Sequence, residues 1–203
     1  MELTLIVSLV VLAVLCVLIW DGTRNMTYVR SGYDGEQYIV EASLAQSADA
    51  ARAMSVINER ITRLMGWLKS THPRDRVTLN LLTRFNPDRI AEITPGNAFG
   101  FTSYTVDKGK SMRLCLRDKA SYNLHEIEEL TFVGFHELAH VADWESDHAL
   151  PFWQVFKYLL IEAKSAGIYN PTDYAVSPMK YCGMDVAYNP YFDSSLSAYS
   201  PTG

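Results

Sequence analysis

The chain has 203 residues, 48% hydrophobic and 20% charged, with a formal net charge of −5. That length allows one folded domain plus a short extra element. The acidic balance and the lack of any lysine/arginine block argue against a nucleic-acid partner.

The extra element is N-terminal. Residues 3–20 read LTLIVSLVVLAVLCVLIW, with only Thr4 and Ser8 as polar interruptions. As a helix this run would rise about 27 Å, close to a hydrocarbon core. Glu2 and the Ile19-Trp20 end do not suit a cleaved signal, which calls for a basic start and a small-x-small site. The expectation is a single transmembrane anchor over 1–22, with Trp20 at the interface. A linker and hairpin start would fill 23–37, and the folded domain 38–203. Arg24 and Arg30 after the anchor, against Glu2 before it, predict a domain on the cytoplasmic side of a virion or host membrane. Cys16 lies in the anchor. Cys115 and Cys182 read as buried small hydrophobes in a reducing compartment, since no framework of pairs is visible.

Beyond the anchor, YVRSGYDGEQYIV (28–40) predicts a hairpin around Asp34-Gly35. Residues 47–70 predict a helix that buries Met54, Ile57, Ile61, Leu64 and Leu68, spaced alternately by three and four. His72-Pro73 ends it, and His72 reads as a surface residue. A shorter helix covers about 75–85. After a Pro/Gly-rich loop, two strands at about 101–106 and 111–117 flank the turn Asp107-Lys108-Gly109-Lys110. A helix over about 124–143 would be capped by Asn123, with Glu126 closing a capping box. Another begins at Pro151 and stops before Gly167, burying Phe152, Phe156, Leu159 and Leu160. The tyrosine-rich tail from 168 reads as an extended segment wrapping the domain.

The chemistry concentrates in TFVGFHELAHVADWESDHALPFW (131–153), which holds three of the five histidines. His136 and His140 lie one helical turn apart, so both imidazoles can reach one Zn²⁺. Glu137 borders the cleft from the side, where it can take a proton from water; this is the division of labour in H-E-x-x-H. A catalytic zinc needs a third protein ligand and an open position. His148, beyond a turn that Trp144 could pack, and Glu162 both qualify, and geometry prefers His148. His125 lies three turns from His136 and outside the site. Tyr181 is a candidate to face the oxyanion. Asp143 or the Glu128/Glu129 pair could orient a ligand imidazole.

The combination of FTSYTVDKGKSMRLCLR, HELAH, HALPFWQVFKYLLIEA, GIY and YCG resembles the WLM family of zinc peptidases. It is more similar still to WLM-like predicted metallopeptidases encoded by large DNA viruses. The likeness spans roughly residues 33–190. The chain departs from the family in a longer acidic turn, DWESD, where a Gly would directly precede the third His. The resemblance implies an α+β, zincin-like metallopeptidase domain with small β-hairpins and an HExxH helix, here behind a single transmembrane helix. It implies Zn²⁺ on His136, His140 and His148, Glu137 as the catalytic residue, and a protein or peptide substrate. The acidic charge and the anchor argue against carrying over the family's action on proteins crosslinked to DNA. Two alternatives stand beside this reading. One is a membrane-bound structural or virion protein that keeps zinc only as a staple; the other is a zinc hydrolase of non-peptide substrates.

Overall fold

The structure is a computed structural model. It describes residues 2–23, 25–94, 100, 102–143 and 148–201, and the backbone alone for residues 2–3 and 17–23. The elements run α1 (Glu2–Thr23), β1 (Met26–Arg30), β2 (Gln37–Glu41), α2 (Ser47–Thr71), α3 (Arg76–Arg84), β3 (Ile90–Glu92), β4 (Tyr104–Val106), β5 (Ser111–Leu114), α4 (Ile127–Ala142), α5 (Leu150–Ser165), β6 (Met179–Tyr181) and β7 (Met184–Val186).

Among the described residues no helix is long and apolar enough to cross a membrane. The expected transmembrane anchor and the single-pass membrane placement, cytoplasmic side included, fall with that finding. The expectations for Trp20 and Arg24, and for Trp144 in the turn, lie outside the described side chains.

The expected small hairpins form, but two of them are joined into a larger sheet. β1 pairs antiparallel with β2, and β4 with β5, as two hairpins. The three-residue β3 lies between them, parallel to both β2 and β5. The result is one mixed five-stranded sheet of order β1-β2-β3-β5-β4 in an α+β fold, with β4 at an edge. β6 and β7 form a two-stranded sheet of their own.

α2 packs beneath the sheet along its periodic stripe: Met54, Ile57, Ile61, Leu64 and Leu68 are all fully buried. α4 crosses it at Gly134, where an added Cβ would stand 2.8 Å from Ile57 Cγ2. α3 starts at Asp75, whose carboxylate accepts from the Val77 and Thr78 amides, satisfying two otherwise orphaned donors.

α4 begins later than expected, and the Asn123–Glu126 capping box does not form. The His125 amide donates to the Leu116 carbonyl, and Leu124 bridges Arg117. These backbone groups are engaged beside the end of β5, so they cannot open a helix. α5 has Pro151 in its first turn and ends at Ser165, two residues before Gly167, whose φ of 65° suits a residue without a Cβ. The tail then wraps back. The Tyr199 amide donates to the Gln154 carbonyl, and the Tyr199 hydroxyl to Asp75 at 2.7 Å.

Two features hold the interior beyond apolar contact. Arg117 and Glu92 form an ion pair at 2.8 Å, with both side chains fully buried. Arg117 also donates to the Ala45 carbonyl, and Glu92 accepts from the Glu41 amide. Cys115 and Cys182 are joined by a disulfide across 67 residues. The end of β5 and the β6–β7 turn bring their Cα atoms to 6.2 Å, within bridging range. They are buried, as expected, but bonded, which removes the support they lent to a reducing compartment.

Candidate metal centre

α4 is apolar on nearly every side except the one that carries the site. Leu130, Phe135, Leu138 and Val141 are buried. Its C-terminal end is fixed by α3: Asn80 Nδ2 donates to the Ala142 carbonyl at 2.8 Å, and Arg84 to the Val141 and Asp143 carbonyls. These donors satisfy carbonyls that a helix end otherwise leaves unpaired. The β4–β5 turn presses against the same end. An added Cβ at Gly109 would lie 2.7 Å from Val141 Cγ1 and 2.8 Å from the Arg84 carbonyl oxygen.

The chain returns after α4 so that His148 faces the helix. Its Nε2 lies 3.0 Å from His136 Nε2 and 3.2 Å from His140 Nε2. The three rings could hold a metal ion. Tetrahedral bonds of about 2.05 Å would set such nitrogens roughly 3.3 Å apart, so the cluster has nearly the spacing that zinc requires. Phe152 stacks under His140 at a centroid distance of 4.3 Å and meets His136 at 4.9 Å. The Trp153 indole donates to the His148 carbonyl at 3.0 Å, tying the third ring's backbone to α5.

Burial keeps the rings uncharged. Burial, then the neighbouring His140 and His148, push the His136 imidazole down to about 3. Burial, then His148 and Lys108, take His140 down to about 4. Both rings are therefore neutral at pH 7, the form that ligates a metal.

Glu137 is 3% exposed, and burial pushes its carboxyl up to about 7. Thr105 Oγ1 on β4 donates to its Oε2 at 3.0 Å, opposing that shift. Thr105 was not singled out by the sequence, where it is one threonine in a short strand; only the pairing of β4 brings it to α4.

The remaining candidates are placed as follows. Glu162 accepts from Trp67 Nε1 at 2.7 Å and lies 3.9 Å from His72, away from the cluster. Glu128 pairs with Arg60 at 2.7 Å and Glu129 lies 3.7 Å from His125, so neither faces a ligand imidazole. Asp143 is buried at the end of α4. His125 Nε2 accepts from the Cys182 amide, supporting the β6–β7 turn rather than the cluster. Tyr181 lines the cleft, but its hydroxyl is bonded to Ser103 Oγ at 2.5 Å. Burial drives its phenol pKa upward.

A cleft of about 810 Å³ opens over the three histidines and Glu137. β4 forms one wall and the β6–β7 hairpin another. A helix carrying paired imidazoles and a carboxylate, with a third imidazole beyond its end, thus defines a candidate metal-binding α+β protein.

The chain is 34% identical over 169 residues to an uncharacterised protein of Acanthamoeba polyphaga mimivirus, covering 78% of this chain and 81% of that one. It is 31% identical over 143 residues to an uncharacterised protein of Invertebrate iridescent virus 6, covering 68% and 79%. A protein of Invertebrate iridescent virus 3 is 35% identical over 106 residues, covering 52% and 60%. The chain belongs to this family of proteins from large DNA viruses. No protein-family profile and no solved structure matches it.

Proposed function

We propose that the chain is a zinc-dependent metallopeptidase, as its likeness to the WLM-like peptidases implies. The observation that carries this reading is Glu137. It is a carboxylate beside three converging imidazoles, at the floor of an open cleft. A metal held only as a structural staple has no use for a proton acceptor there, and structural zinc sites are closed. His136, His140 and His148 would hold the ion, which supplies Lewis-acid polarisation of a carbonyl and of water.

The chain's own residues do the rest. Glu137 accepts a proton from the attacking water as the new carbon–oxygen bond forms. It returns that proton to the leaving nitrogen as the carbon–nitrogen bond breaks. Thr105 fixes the carboxylate's orientation. The position of β4 supports a peptide as substrate, because it is an edge strand that lines the cleft, the kind of element beside which an extended chain lies.

The test is Glu137→Gln in zinc-loaded protein offered a broad peptide library. The expected loss is about 10²–10⁴ in turnover, with zinc content and fold retained. Zinc-loaded, folded wild type that cleaves nothing would replace this reading with the structural one.

A further inference from the structure

We infer that the cleft selects substrates by a bulky apolar side chain, aromatic or leucine-like, seated between α4, α5 and the β6–β7 hairpin. This rests on the peptidase reading of the same site and names its substrate class.

The two sides of the cleft differ in chemistry. On the β4 side it is lined by Thr102, Ser103 and Thr105. The opposite side is apolar. Trp153 and Tyr188 face the cleft with ring centroids 5.3 Å apart, backed by the buried Phe132 and Phe156. Met184 and Val186 of the hairpin line the same side. This surface begins at the metal cluster itself, since Trp153 lies 5.9 Å from the His148 ring and 6.4 Å from the His136 ring.

Aromatic surface left facing a cleft gains most by covering with apolar groups, which leave water at no polar cost. A charged side chain placed there would lose its hydration without a partner. Of the acidic groups described there, Asp185 is exposed and directed to Lys180 at 4.0 Å, and Asp193 accepts from the Tyr188 hydroxyl at 2.8 Å. A peptide lying beside β4 would point alternate side chains to opposite faces of the sheet, one of them the face that α4 covers.

Transfer of such a side chain from water is expected to give roughly a 10- to 100-fold preference over glycine. Dipeptide hydroxamates, which bind metal and are not cleaved, read the preference without turnover. Four probes would carry glycine, leucine, phenylalanine or aspartate next to the hydroxamate, titrated by calorimetry into the zinc-loaded full chain. The expected order is phenylalanine and leucine tightest, then glycine, then aspartate, and the same order in the Glu137→Gln protein. Val186→Asp and, separately, Met184→Asp, both on the partly exposed hairpin, should narrow the phenylalanine-to-glycine ratio below about threefold. Equal binding of all four probes, a preference for aspartate, or no binding by a zinc-loaded chain overturns the inference. Library cleavage by wild type decides the peptidase reading separately, because a protein that cleaves without apolar preference keeps its activity and loses only this specificity.

Discussion

Removing the Cys115–Cys182 bond should loosen the cleft wall before it unfolds the protein. The bond closes a loop of 67 residues. In the chain-entropy account, opening such a loop releases about 4 kcal/mol of constraint on the unfolded state. For a chain of this size each kcal/mol moves the midpoint by roughly 2–4 °C, so the expected drop is about 8–16 °C. The loss should also be local. Among the described residues β6 and β7 pair only with each other. Besides the disulfide, the hairpin is held by the Tyr181–Ser103 contact and by the Cys182 amide on His125. Thermal unfolding of oxidised protein, of reduced protein and of the Cys115→Ala/Cys182→Ala double variant gives the midpoint. Hydrogen exchange gives the location, with residues 179–188 expected to lose protection first. Midpoints within about 2 °C of one another, or protection lost evenly over the sheet, would refute the reasoning.

Three further outcomes follow from particular contacts. His148→Ala should weaken zinc binding by more than the roughly 10–100-fold that loss of a supporting contact costs, while Glu162→Ala leaves it unchanged; metal analysis with a competing chelator reads both. Gly109→Ala should destabilise by about 2 kcal/mol or more, since the residue sits at φ 109° and its Cβ would meet Val141 and the Arg84 carbonyl; urea unfolding measures it. Arg117→Met should cost roughly 3–5 kcal/mol by stranding the buried Glu92 carboxylate, and adding Glu92→Met should recover much of that.

Much of the fold was written in local periodicity. The α2 stripe could be read because five apolar residues recur every three or four positions, and all five are buried. The β4–β5 hairpin was legible from its turn. β3 was not, because three residues beside a Pro/Gly-rich loop carry no measurable alternation; their strand character comes from two parallel neighbours far away in sequence. The disulfide was equally hidden, since two cysteines 67 residues apart become partners only through the tail's path. The apolar N-terminal run has the composition of a span, yet no described helix is long and apolar enough to cross a membrane. His136, Glu137 and His140 share a helix turn, so their proximity is local. His148 reaches them only because α5 packs back on α4, while Glu162, on that same helix, points to Trp67 instead.

The disulfide has a further consequence for how the chain comes into being. Residues 115 and 182 close a covalent ring, and all three imidazoles and Glu137 lie within it. During synthesis from the N-terminus, the strands of the large sheet, which end at Leu114, emerge well before residue 182. The ring can close only after residue 182 has been made and an oxidant has reached two thiols that end up buried. The cleft therefore matures after the strands of the large sheet have been made. A truncated or still-growing chain carries the histidines without the wall that turns them into an enclosed site.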